Sequence, residues 1–439
     1  MPRPFLGFLV AVMLLPGRGP AQDGALTGLR LPEGWKAEVV AGSAAARPRR
    51  IAFLEDGTPL VVEQGTNKAA LQALASSKPD GGPWDRARGI LEAAVIADVL
   101  GLDGWVYVAG SGGLRRIRPP RAGEPPDTPV NVVTGLGGPP SGLRVAAGPD
   151  GWLYLSAAAG DHDARGADGS RARVPHTGAV YRCRPDGSRL EVFAVGLAEP
   201  GRVAFDSEGH AFLADGRLLH VVEGADFTRL PPLVPAGKRA PAELVATPAG
   251  LLVLDRRRRA VREYRLVPTG ASFKVTEDSA FLEASTDPDF APSQIEMGPD
   301  GAVYLVDPRD GKQGRILRLS RSSGAGAVPT GRRLKDDELV RALSSETAGE
   351  REVARRELVR RGGKGRAALI RLLEGDDAPA AARLAALGAL QAMVNGDVLA
   401  ALERTLAEES PRRNESRRRC SGFTPARATA PPPTPWPRP

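Results

Sequence analysis

The side chains best placed for chemistry in this sequence sit together at Asp161-His162-Asp163, directly after Gly160. Two carboxylates beside an imidazole suggest a hard-cation site through Asp161 and Asp163, or an acid–base set formed by His162 and Asp161. His176 opens the next apolar run and is a second candidate base. A solvated loop is the plain alternative for this whole group. Asp215, Asp255 and Asp307 each close an apolar run at corresponding places. Carboxylates there can ring a ligand-binding channel or simply cap turns. Arg202 and Arg217 can pair with those carboxylates or meet an anionic ligand.

Several chemistries are excluded at the outset. The chain has two cysteines, Cys183 and Cys420, so no disulfide framework is expected. It has no C-x-x-C-H stretch for covalent haem c and no Cys/His zinc spacing. Its four histidines make a His-rich metal site improbable. The net charge of +8 comes from arginines spread along the chain. Clusters at 256–259 and 417–419 lack interleaved aromatics, so nucleic acid is not the expected partner.

What must position these residues is a repeat. Asp56-Gly57, Asp103-Gly104, Asp150-Gly151, Glu208-Gly209, Ala249-Gly250 and Asp300-Gly301 each precede a short apolar or aromatic run. Glycine permits the tight turn, and the run that follows suits a buried strand. Further short strands fit between the copies, at 180–184, 219–222 and 315–319. About four strands in each 40–58-residue unit is the pattern of propeller blades. Six units predict an all-β six-bladed propeller over 28–325; a β-sandwich or β-helix fits the unit length less well. The stretches 160–177 and 67–91 read as exposed excursions.

The period changes near Leu334. Helical patterns run over 336–343, 350–361, 367–373, 380–393 and 398–406, a small all-α HEAT-like segment within 334–410. Residues 411–439 are rich in Arg, Pro and Thr and are expected to be disordered. So abrupt an end to a repeat array reads as truncation, or even a shifted reading frame. At the other end, Arg3, the apolar run Phe5–Leu15 and the small residues Gly19 and Ala21 form a signal-peptide pattern. Cleavage after Ala21 would export the chain to the periplasm or beyond. An uncleaved anchor is the alternative, although the run is short for a transmembrane span.

The segments Leu31-Pro32-Glu33-Gly34-Trp35, Gly148-Pro149-Asp150-Gly151-Trp152-Leu153-Tyr154, His176–Gly187 and Leu190–Leu197 resemble the exported planctomycete propellers often labelled membrane-bound dehydrogenase or haem-binding-domain proteins. More distantly, the chain is similar to soluble quinoprotein glucose/sorbosone dehydrogenases. The resemblance covers about residues 30–410. It implies pyrroloquinoline quinone (PQQ) and Ca²⁺, with a histidine base that takes a sugar hydroxyl proton as hydride leaves. The chain departs from that pattern in several places. The base would fall within Gly137–Ser141, which has no histidine; the cofactor loop reads Leu197–Arg202; the loop after the fourth copy is shortened to Asp215-Gly216-Arg217; and the haem module is absent.

Three readings follow. One is a silent propeller that binds carbohydrate or protein, with the helices as a docking surface. The second is an active PQQ-dependent sugar or alcohol dehydrogenase. The third is hydrolysis by Asp161, His162 and Asp163.

Overall fold

The apolar runs become strands because the turns before them reverse the chain tightly. Gly57, Gly104, Gly151, Gly209 and Gly301 have φ between 72° and 86°, which a side chain would oppose. The computed structural model describes residues 28–407, apart from 43, 66, 79–81, 121–126, 207, 238–240, 310–311, 322–333, 346–347, 376–377, 392 and 395. The expected signal peptide (1–21) and tail (411–439) lie outside the described residues.

Strands β1 (Leu29–Arg30) and β2 (Trp35–Ala41) come first, and consecutive sets follow. The first set is β3 (Pro48–Phe53), β4 (Pro59–Gln64), β5 (Ala69–Ala75) and β6 (Arg86–Ala93). The second is β7 (Asp98–Leu102), β8 (Trp105–Gly110), β9 (Gly113–Ile117) and β10 (Val130–Thr134). The third is β11 (Leu143–Ala147), β12 (Leu153–Gly166), β13 (Arg171–Cys183) and β14 (Glu191–Leu197). Then come β15 (Ala204–Phe205), β16 (Ala211–Ala214), β17 (Leu218–Val221) and β18 (Ala225–Asp226). The fifth set is β19 (Pro241–Thr247), β20 (Gly250–Asp255), β21 (Ala260–Thr269) and β22 (Ser272–Ala284). The last is β23 (Gln294–Met297), β24 (Val303–Asp307) and β25 (Arg315–Arg321).

Hydrogen bonding sorts these strands into five sheets rather than the six separate blades expected from six turns. Four are blade-sized, with three to five strands. The fifth has nine strands, because the 14-residue β12 overruns its own set. Its Arg165 and Gly166 pair with Thr134 and Val133 of β10, which fuses the second and third sets. The fourth set keeps only three strands, since β18 pairs with β14 instead. The first strand of each set lies inward: β3 packs beside β7, β7 beside β11, β15 beside β19, β19 beside β23, and β23 beside β3. Strand β2 closes the ring by pairing with β25, from Trp35↔Arg321 to Ala41↔Ile316. Apolar clusters fill the space between neighbouring sheets. Both expected excursions are corrected. Residues 160–177 form the far half of the β12–β13 hairpin, and 67–91 hold β5 and most of β6. Strand pairing satisfied backbone groups in segments whose polar composition read as loop.

Among the described residues, five helices follow: α1 (Asp336–Ala342), α2 (Ala348–Arg360), α3 (Gly363–Glu374), α4 (Ala380–Gln391) and α5 (Gly396–Ala407). They enclose their own core around Leu339, Leu358, Leu369, Leu387 and Leu402. Gly365 is needed where α3 meets α2, because a Cβ there would stand 1.8 Å from the Leu358 carbonyl oxygen. No helix among the described residues is long and apolar enough to cross a membrane.

Candidate functional site

Polar side chains on the inner strands, and Arg202 just before β15, bond to one another across the ring. Arg50 of β3 donates to Glu243 Oε1 of β19 at 2.6 Å and to the Ala97 carbonyl at 3.0 Å. Arg144 of β11 donates to the same Glu243 oxygen at 3.1 Å. Arg202, just before β15, donates to both Asp98 oxygens at 3.0 and 2.5 Å and also to Glu296. Gln294 of β23 locks the seam to β3, accepting from Ile51 N–H at 2.6 Å and donating to Ile51 O at 2.9 Å. Asp98 is fully buried, and Arg50, Arg144 and Glu243 nearly so.

Three guanidiniums and three carboxyl groups thus meet. Burial opposes ionisation of Glu243, but Arg50, Arg144 and Arg202 outweigh it and hold the carboxyl at about 2. Burial, reinforced by Asp98 and Glu243 and only partly offset by Arg202, pushes Glu296 up to about 7. Burial and the neighbouring Arg50 lower Arg144 to about 10. Buried ions persist only when paired in this way.

The residues singled out from sequence fall elsewhere. His162 is 3% exposed. Its Nδ1 accepts from Gly137 N–H at 2.9 Å, and its Nε2 lies 3.1 Å from the Ala158 carbonyl. Both ring nitrogens are engaged with backbone, and burial lowers its pKa. Asp161 and His176 pair with each other at 2.9 Å on the surface, with side chains 73% and 86% exposed. Asp163 faces Arg171 at 2.5 Å, with Arg165 and Arg173 beyond, and the bond from Arg171 holds it at about 2. Strand alternation separates His162 from both carboxylates, so the three do not converge.

Asp215 accepts from the Ala198 and Glu199 amides and from Arg217 at 2.5 Å, while Arg217 also donates to the Phe227 and Gly196 carbonyls. Asp255 accepts from the amides of Arg257 and Arg258 in its own turn. Asp307 accepts from Ala291 N–H and from Arg315, and burial raises its pKa. These three carboxylates hold loops. Of the two arginines, Arg217 meets Asp215 as anticipated, and Arg202 joins the axial network.

PQQ with Ca²⁺ would need free cationic donors, a cluster of metal ligands and a base. The three axial arginines are spent on Asp98, Glu243 and Glu296. Among the described residues, no group of three or more His, Cys, Asp or Glu is placed to hold a metal. Where the base would fall, Gly137 packs so tightly that a Cβ would stand 1.9 Å from the Asp161 carbonyl oxygen. The residues present do not fit that cofactor pair.

A cavity of about 880 Å³ opens instead at the mouth formed by the Asp-Gly turns. Its floor includes Arg202 and Glu296, the latter 21% exposed. Its rim carries Asp56, Asp103 and Asp150, with Phe53, Phe205 and Met297 as apolar surface. Helices α2 and α4 supply the remaining wall through Arg351, Val353, Arg355, Ala385 and Gln391. Gly388 of α4 lies close to the propeller, where a Cβ would stand 3.4 Å from the Pro149 carbonyl.

Sequence reasoning missed the axial residues, although a signal was present. Arg50, Arg144, Arg202, Glu243 and Gln294 each stand seven residues before a turn glycine, and Asp98 stands six before. One polar residue at a constant phase in otherwise apolar strands marks an inward-facing position.

Known proteins add the following. The model of a domain of unknown function (DUF7133) matches residues 236–309, a segment holding Glu243, Gln294 and Glu296. No curated protein matches the chain. The crystal structure of a putative oxidoreductase (glucose dehydrogenase) from Thermus thermophilus is 19% identical, covering 65% of this chain and 100% of its own, with a TM-score of 0.51. The PQQ-bound aldose sugar dehydrogenase from Streptomyces coelicolor is 16% identical, covering 66% of this chain and 99% of its own, with a TM-score of 0.48. The first of these likenesses establishes the architecture: the strands form a β-propeller of the kind seen in that glucose-dehydrogenase-like structure, followed by a small helical part.

Proposed function

We propose that this chain is an exported, dehydrogenase-like propeller that binds a carbohydrate in the cavity between its turn mouth and its helices, without oxidising it. The observation that carries this reading is the contrast between an open cavity of about 880 Å³ and an axis closed by paired charges. A concave site with apolar surface and a few polar side chains is the usual form of a ligand pocket. Carboxylates at the rim can accept sugar hydroxyls, while Phe53 and Phe205 offer faces to sugar C–H groups. Descent from the planctomycete-type membrane-bound dehydrogenase propellers fits the sequence motifs, and the loss of a base at 137–141 fits a loss of redox chemistry. On this reading the strand sets count as six blades, two of them fused at their edges. The helices are a HEAT-like pair of repeats that serves as the wall of the pocket.

The test is calorimetric titration of the purified protein with a panel of oligosaccharides, and with PQQ in the presence and absence of Ca²⁺, followed by dye reduction on sugars. Saturable sugar binding that Val353→Trp weakens by roughly tenfold or more, with no dye reduction, is the expected result. PQQ-dependent dye reduction would overturn the reading and restore the active quinoprotein. Sugar binding untouched by Val353→Trp would move the site away from the cavity.

A further inference from the structure

We infer that two adjoining arginine-on-tryptophan stacks, on the second and third strand sets, form a binding surface for an acidic polysaccharide with a sulfate ester or carboxylate on successive units. The choice of a saccharide as carrier rests on the carbohydrate reading above. The anion site does not, because none of its arginines or tryptophans lines the cavity. The surface starts from a duplication. Tyr107 of β8 pairs with Arg116 of β9, and Tyr154 of β12 pairs with Arg182 of β13. Two residues nearer the mouth, Trp105 stands by Arg118, and Trp152 by Arg184. The guanidiniums of Arg116 and Arg118 lie 4.6 and 4.7 Å from the centre of the Trp105 ring. Those of Arg184 and Arg189 lie 4.1 and 5.2 Å from the centre of the Trp152 ring. The two stacks adjoin, since the Tyr107 hydroxyl and Arg116 both donate to the Pro185 carbonyl, at 2.8 and 3.1 Å.

The fold does not require this arrangement. The last strand set has the same tyrosine–arginine pair, Tyr304↔Arg318, but carries Ala302 and Ser320 where the tryptophan and the second arginine would stand. Arg318 is there neutralised by Asp300 at 2.7 Å and Glu38 at 3.4 Å. In the third set Arg182 is likewise spent on Glu191 and Glu223, at 2.5 and 3.0 Å. Arg118, Arg184 and Arg189 differ, having no ion pair among the described residues. The carboxylates near Arg184 serve other donors: Asp150 holds Trp152 N–H and the Tyr154 hydroxyl, and Asp186 holds Ser188. Burial, and after it the repulsion of Arg189, lowers the Arg184 pKa, as befits a cation short of an anion. A guanidinium laid flat on an indole keeps its N–H edge free for a bidentate oxyanion. Two adjoining forks of this kind suit a polymer with repeated anions. A neutral sugar gains no stacking face on Trp152, which is only 6% exposed.

The deciding experiment titrates the full-length protein with dextran sulfate and with polygalacturonate, at low and high salt. The two polymers report which oxyanion is preferred. Saturable binding of at least one is expected, with most of the affinity lost at high salt. Arg118→Gln with Arg189→Gln should weaken it by about tenfold or more. Both side chains are exposed, so this double variant keeps the fold, and thermal denaturation verifies it. Arg256→Gln with Arg258→Gln removes the same charge from exposed positions at the opposite end of the propeller. That control should change affinity by no more than about twofold. Val353→Trp, which fills the cavity, should leave polyanion binding unchanged. Equal losses from the two double variants would reduce the effect to net charge and overturn the inference. Binding lost with Val353→Trp but not with the Arg118/Arg189 variant would put the polymer in the cavity, overturning this surface while the carbohydrate reading stands. Binding of neither polymer would overturn the inference and leave that reading to its own test with neutral oligosaccharides. Poly-glutamate or duplex DNA bound as tightly as the better polysaccharide would overturn the assignment of a saccharide.

Discussion

The axis and the turn mouth of this propeller are built from the same residue types and put them to opposite uses. At the axis, Arg50, Arg144 and Arg202 meet Asp98, Glu243 and Glu296, and all but Glu296 are nearly shut off from water. At the mouth, Asp56, Asp103 and Asp150 line a large cavity and have no such partner among the described residues. Charges sealed against each other hold inner strands together. Charges left facing a cavity are available to something that arrives. Glu296 belongs to both regions, since it is bonded to Arg202 and partly open to the cavity.

The largest effect should come from breaking the axis. Arg202→Ala strips Asp98 and Glu296 of their cation and leaves a buried carboxylate uncompensated, which costs about 3–5 kcal/mol. For a propeller of this size that lowers Tm by about 5–8 °C, as thermal denaturation would record. A loss below about 1 kcal/mol would mean that the strands are held without these ions.

Next in size is His162→Ala. It removes an imidazole bonded to two backbone groups and should cost about 2–3 kcal/mol in urea denaturation, with ligand affinity unchanged. Unchanged stability with a lost activity would instead mark His162 as a working base.

A smaller effect is the pH dependence of stability. Glu296 titrates at about 7 in the folded protein against an ordinary value of 4.5. The folded state therefore holds this proton more tightly, so its stabilising contribution is complete below about 4.5 and is lost as pH rises through 7. Glu243, held at about 2, works in reverse, and its contribution is lost as pH falls from 4.5 toward 2. Urea midpoints followed from acid to alkaline pH should fall on both sides of a mildly acid maximum. Glu296→Gln should flatten the alkaline side alone, and an unaltered alkaline side would assign that slope to another group.

The smallest effect belongs to Asp163→Asn. Its ion pairs with arginines lie at the surface, where solvent screens them, and no measurable shift in Tm is expected. A clear loss would give the tip of the β12–β13 hairpin a role beyond its local pairing.

Much of the fold was legible because its causes are local. The glycine turns and the apolar runs after them mark the strands, and the change of period near Leu334 marks the helices. The count of separate blades was not legible, because it depends on how far β12 runs past its own set to reach β10. The site was legible least of all. Asp161, His162 and Asp163 are adjacent in sequence and looked like one constellation, but the extended strand turns His162 inward and the carboxylates outward. Asp215, Asp255 and Asp307 were placed correctly at strand ends, yet amide donors turn them into loop anchors.

The sequence by itself determined where the chain turns, where it extends and where it coils, because glycine φ, side-chain alternation and helical period act over a few residues. Tertiary structure alone decided which charges neutralise one another and which remain open. Arg50 and Glu243 stand 193 residues apart, and Gln294 reaches Ile51 across 243. Ring closure brings such residues together, and no local pattern encodes the distance between them.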